Sequence, residues 1–161
     1  MTTAFREFLR QQAEKHQAEA TVAKEMIDEW RAAVERLFAQ MRAWLKEDDP
    51  EGVIEIEGGQ EDITEPGLGR YRVPRLDLRV FGKWIGIIPK ARKTVGIAHP
   101  PQKAAPHRAA GRVDITDELR RYVLYRSQED GRDVWVIDDL GSGQKPLDQG
   151  TFENALMSYF R

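Results

Sequence analysis

Between residues 23 and 45 the apolar positions recur at alternating steps of four and three. Ala23, Ile27, Trp30, Val34, Leu37, Met41 and Trp44 form one line, with Met26, Ala33, Phe38 and Leu45 beside it, while Glu25, Asp28, Arg31, Glu35, Arg36 and Arg42 fall off it. That spacing predicts a helix holding one face against a partner helix or a sheet. No Gly or Pro occurs from Thr3 to Glu47. Pro50 ends the run, because it has no amide hydrogen and pushes Asp49 out of helical conformation. Followed backwards, the line weakens to Ala20, His16, Ala13, Leu9 and Arg6, and Phe5, Phe8 and Leu9 are the only strongly apolar residues in the first turns. The pattern predicts one helical unit over residues 1–49 with two characters: a well-buried half from about 22 to 47, and a first half that is polar or small.

Length sharpens this. About 45 helical residues at ~1.5 Å each span nearly 70 Å. A body built from residues 50–161 is only about 35 Å across. The first half either breaks near Glu19–Ala23 or projects toward another copy or another protein.

After Pro50 the period changes to two. Val53 to Glu57 alternates briefly and ends in Gly58–Gly59, a first strand; residues 60–69, acidic and containing Pro66–Gly67, read as a surface loop. Leu76, Leu78 and Val80 alternate with Arg75, Asp77 and Arg79, and residues 84–88 return after Gly82–Lys83. Taking Gly82–Lys83 as the turn sets Val80 opposite Ile85 and Leu78 opposite Ile87, with all five apolar residues on one face. Further strands are expected near 94–98 and 112–115, separated by an extended Pro-rich loop over 99–111. Thr116 or Asp117 is placed to cap a single helical turn. A second hairpin is expected from 122–126 and 133–137, around Asp130–Gly131. Phe152, Ala155, Leu156, Tyr159 and Phe160 share one face of a closing helix capped by Thr151 or Asp148. The fold class is therefore α+β: a long N-terminal helix packed on a mostly antiparallel sheet of about five or six strands, with a C-terminal helix, one domain overall.

Composition excludes several classes. Charged residues make up 32% and apolar residues 40%, as in a folded, water-soluble chain, and there is no cysteine. Disulfide and thiolate chemistry are excluded, and a reducing cytoplasmic setting fits. No apolar run approaches the ~20 residues that cross a membrane. The amphipathic, partly acidic N-terminus lacks the basic-then-apolar order of a secretory signal.

Net charge is −2 but unevenly placed: residues 1–68 carry −8, residues 69–112 carry +10 and residues 113–161 carry −4. The basic centre holds Arg70, Arg72, Arg75, Arg79, Lys83, Lys90, Arg92 and Lys93 near Tyr71, Phe81 and Trp84. Cations beside exposed aromatics on a sheet suit phosphates and stacked bases. The acidic 61–65 stretch and the segment from Asp114 to Glu118 offer the alternative of internal neutralisation.

Signals for catalysis are thin. His99 and His107 lie eight apart in the Pro-rich loop without a local carboxylate, so no metal is expected. Glu55 and Glu57 with Asp77 and Arg79 resemble the acidic strand pair of metal-dependent nucleases, but the lysine such sites carry is replaced at that spacing by Arg79. No serine nucleophile motif and no phosphate-cradling loop occurs. The leading expectation is a non-catalytic, cofactor-free interaction or adaptor domain that self-associates, or meets a helix-binding protein partner, through Phe5, Phe8, Leu9, Ile27, Trp30, Val34, Leu37, Met41 and Trp44. Nucleic-acid binding through the 70–93 segment is the alternative, and a metal-dependent nuclease the third reading.

Overall fold

The 4-3 line of apolar residues forms a single unbroken helix, α1, Thr3–Asp48, 46 residues or about 69 Å long. The computed structural model describes residues 3–100 and 105–161. Trp30, Ala33, Val34, Leu37, Phe38, Met41 and Leu45 are buried. Every residue from 3 to 22 is exposed except the half-buried Gln12.

The strands are β1 (Glu55–Glu65), β2 (Gly69–Val80), β3 (Lys83–Ala91), β4 (Ile97–Ala98), β5 (His107–Arg108), β6 (Arg112–Thr116), β7 (Arg121–Glu129), β8 (Arg132–Asp138) and β9 (Gln144–Pro146), and a helix α2, Gln149–Ser158, closes the chain. β1, β2, β3, β6, β7, β8 and β9 form one seven-stranded antiparallel sheet in that order, and β4 pairs with β5 alone. Both helices pack on one face. There Leu76, Leu78, Ile85, Ile87, Val113, Ile115, Leu124 and Ile137 meet Trp30 and Met41 of α1 and Phe152 of α2. Burying each such side chain contributes roughly 1.5–3 kcal/mol. The opposite face is partly covered by the chain between β3 and β6: Ala98 and Ala109 are buried, and Gln144 holds that segment through the His99 amide and the Ile97 carbonyl, each at 2.7 Å.

The architecture agrees with the expected class, and three details differ. The main sheet has seven strands, the short β9 among them, and residues 60–69 are not a surface loop. They are the tip of a long β1–β2 hairpin turning at Pro66–Gly67, where Asp62 lies between Arg70 and Arg72 of the facing strand. Cross-strand charge pairing makes this acidic run compatible with a strand. Beyond Gly58–Gly59 and Pro74 the buried positions change parity, from Leu78 and Leu76 to Val73 and Tyr71, while the pairing continues without a shift. The ribbon therefore twists there and turns its other side inward, as two-stranded ribbons readily do.

The β2–β3 turn is Phe81–Gly82, not Gly82–Lys83. Both residues have positive φ, 51° and 81°, the backbone of the hairpin turn whose twist matches its strands. Val80 thus faces Lys83, and Leu78 faces Ile85. The register is two residues from expectation, and because a slip of two keeps every side chain on its own face, the core face comes out unchanged. Asp130–Gly131, with φ of 50° and 75°, turns β7 into β8 in the same way.

Thr116 and Asp117 organise a tight turn in place of a helical one, the Asp117 carboxylate accepting from the Leu119 and Arg120 amides. Within the 99–111 stretch, His107 and Arg108 form a strand; its residues 101–104 lie outside the described part. α2 is capped by Asp148, whose side chain accepts from the Thr151 amide while the Thr151 hydroxyl accepts from the Asp148 amide. Such a reciprocal cap contributes about 1 kcal/mol.

Candidate interaction surface

The first half of α1 can stay helical without touching the body. Forming the first helical turn is the costly step, and each added residue then costs little. The docked half supplies that nucleus. Residues 3–22 contain neither Gly nor Pro and are rich in Ala, Gln and Glu, which propagate a helix well. Glu7 pairs with Arg10, and His16 lies 3.7 Å from Glu19, local contacts each contributing a few tenths of a kcal/mol.

This overhang carries the apolar side chains singled out above. Phe5, Phe8 and Leu9 are 51%, 52% and 44% exposed, and the two rings stack on each other with centroids 6.4 Å apart. Val22, also exposed, stands where the overhang meets the body. At that corner Ala18, Val22, Ala23 and Met26 border a hollow of about 390 Å³, completed by Leu68 from the β1–β2 tip and Lys93.

The remaining residues of the seam face this chain's own core. Trp30, Val34, Leu37 and Met41 are buried there. Ile27 is half-buried, and the half-buried Trp44 packs on Phe152 with centroids 5.6 Å apart. Trp30 lies 6.2 Å from Trp135 and passes so close to Gly111 that a Cβ there would sit inside its ring.

An ionic anchor sets where α1 leaves the sheet. Arg126 is fully buried; its Nη1 and Nη2 donate to Glu29, and its Nε donates to Asp133 at 2.8 Å. Arg36 bonds the other oxygen of Asp133 at 2.6 and 3.1 Å. Burial pushes both carboxyls up, but the Arg126 bonds hold Glu29 below its usual range, and the Arg36 and Arg126 bonds do the same for Asp133. Nothing in the hydrophobic pattern marked these residues, because Glu29–Arg126 and Arg36–Asp133 each span 97 positions; only Arg126 and Asp133, seven positions apart across the β7–β8 hairpin, are near one another in sequence.

Much of the basic centre is neutralised within the chain. Arg70 and Arg72 lie 3.6 and 3.1 Å from Asp62, and Arg75 bridges Glu61 and Asp77 at 2.6 and 2.8 Å. Lys83 reaches Asp117 at 3.2 Å, and Arg92 approaches Glu29 at 3.9 Å. Arg79, Lys90 and Lys93 are exposed. Glu55 and Glu57 face Arg79 and Asp77 across the ladder. The Asp77 carboxylate accepts from Arg75 and from the Trp84 indole, and among the described residues no three metal-binding side chains converge. The His107 ring meets the buried Ser127 hydroxyl at 3.0 Å.

No helix among the described residues is long and apolar enough to cross a membrane. No family model, curated protein or solved structure matches the chain.

Proposed function

We propose that this protein is a non-catalytic interaction module of the cytoplasm that self-associates through the first half of α1. One observation carries the reading: a continuous helical overhang of about 20 residues presents Phe5, Phe8 and Leu9 to solvent. Exposed aromatic clusters of this kind are characteristic of protein-contact surfaces. Sedimentation of the full chain and of a variant lacking residues 1–20 tests it. The full chain is expected to self-associate with rising concentration, and the shortened chain to remain a folded monomer; equal masses for the two would reject the reading.

Nucleic-acid binding by the 70–93 segment is the weaker alternative. Arg70, Arg72, Arg75, Lys83 and Arg92 each have a carboxylate within 4.0 Å, leaving fewer cations for phosphates. Binding weakened by salt and abolished in R79E/K90E/K93E would reinstate it.

A further inference from the structure

Phe5, Phe8, Leu9, Gln12, His16 and Ala23 recur at helical spacing in line with Trp30, Leu37 and Met41. The core-facing stripe of α1 therefore continues straight off the edge of the body. Along this stripe one chain carries both a ridge and a hollow. The ridge is the Phe5–Phe8 stack. The hollow is the corner bordered by Val22, Ala23, Met26, Leu68 and Lys93.

The helix is continuous between them, so they stay about 23 Å apart along one rod and cannot meet within a chain. A second copy brings them together. Building on the self-association reading, we infer that two copies pair antiparallel through their overhangs, with the Phe5–Phe8 stack of each seated in the corner hollow of the other.

The match follows from position. The ridge centres between residues 6 and 7, the hollow near residue 22, and a two-fold axis beside residue 14 superposes each on the other. In that register Phe5 meets the partner's Ala23, and Phe8 meets the partner's Ala20, so large side chains oppose small ones. Gln12 meets the partner's His16, a polar pair at the centre of the seam that disfavours other registers. The N-terminal end of each overhang reaches the partner's β1–β2 tip, which limits how far the helices can slide. The same patch serves both copies, as a closed two-fold interface requires.

Four half-exposed rings supply about 400 Å² of aromatic surface, and two overhangs about 30 Å long bring the total to about 1,000 Å². That lies near the lower limit for a stable interface, so the dimer is expected to be concentration-dependent.

The chain has no cysteine, so single-cysteine probes report without background. In the antiparallel register Leu9 lies opposite the partner's Glu19, while two copies of Leu9 are about 15 Å apart along the seam, beyond the 4.4–6.8 Å between Cα atoms that a disulfide spans. Mixed L9C and E19C copies are expected to form a heterodisulfide, and L9C alone none. Phe8→Ala and Val22→Glu, both at exposed positions, are each expected to raise the dimer dissociation constant at least tenfold with helix content unchanged. A dimer joined by L9C alone, or one whose dissociation constant neither substitution moves, overturns this geometry and leaves self-association standing. A monomer at the highest soluble concentration rejects self-association and this geometry together.

Discussion

One helix contains two regimes. From Trp30 to Leu45 its apolar residues are buried against the sheet and α2, and from Thr3 to Val22 apolar residues at the same spacing face water. Backbone geometry and propensity do not separate the halves. What differs is the supply of surface: the sheet lies under one half only. Periodicity thus reports that a helix has an apolar side, while the reach of the body decides which part of that side belongs to the core.

Replacing a residue in each half is the direct way to break this contrast, and the largest effect belongs to the docked half. Trp30→Ala removes a fully buried ring packed on Trp135 and should cost about 3–5 kcal/mol, read from urea unfolding. A loss below about 1 kcal/mol would show that α1 is not anchored there. Next comes the ionic anchor. Arg126→Ala leaves Asp133 to Arg36 alone and Glu29, partly exposed, without its main partner, and should cost about 2 kcal/mol in the same assay; an unchanged midpoint would assign the anchoring to apolar packing alone.

Acid addresses the same anchor. Glu29 and Asp133 are both held below their ordinary values of 4.5 and 3.8. Their contribution is therefore complete above those values and disappears as pH falls below them through the lower folded-state values. Stability should be level from pH 7 to about 5 and fall below about pH 4. Asp133→Asn should be less stable at pH 7 and show a shallower acid slope, and a slope equal to the parent's would remove Asp133 from the account. The smallest effect is expected in the overhang: Phe8→Ala should shift unfolding of dilute protein by less than about 0.5 kcal/mol, even where it abolishes association. A core-sized loss at that position would mean that the two halves are not distinct.

Most of the architecture is legible in the residue pattern because burial on one face imposes period 3.6 or period 2. The α1 seam, the core face of the β2–β3 hairpin, the Asp130–Gly131 turn and the docking face of α2, apart from the exposed Phe160, all follow from it. The missed parts depend on cues that alternation does not carry. Phe81 gave no turn signal, since its left-handed backbone is uncommon outside Gly, Asn and Asp. The acidic tip of β1–β2 reads as strand only once Asp62 is seen between Arg70 and Arg72. For the candidate surface, Phe5, Phe8 and Leu9 stand out in sequence as apolar residues without an apolar neighbourhood, whereas the hollow that completes the surface joins residues 18–26 to Leu68 and Lys93, and no local pattern links them.

The anchor between Glu29 and Arg126 also has a consequence in time. The two residues are separated by 97 positions, and a ribosome adding about 5–20 residues per second takes about 5–20 s to deliver the second after the first. The docked face of α1 is made first and is covered in stages, by β2 and β3 before β7 and β8. During that interval the β1–β2–β3 meander can already zip from neighbouring segments and cover part of the line from Trp30 to Met41, while Trp30 still lacks Trp135 and Glu29 still lacks Arg126. A newly made copy is therefore most prone to mispairing before β7 emerges, and slowing translation between β3 and β7 should lower the yield of soluble protein.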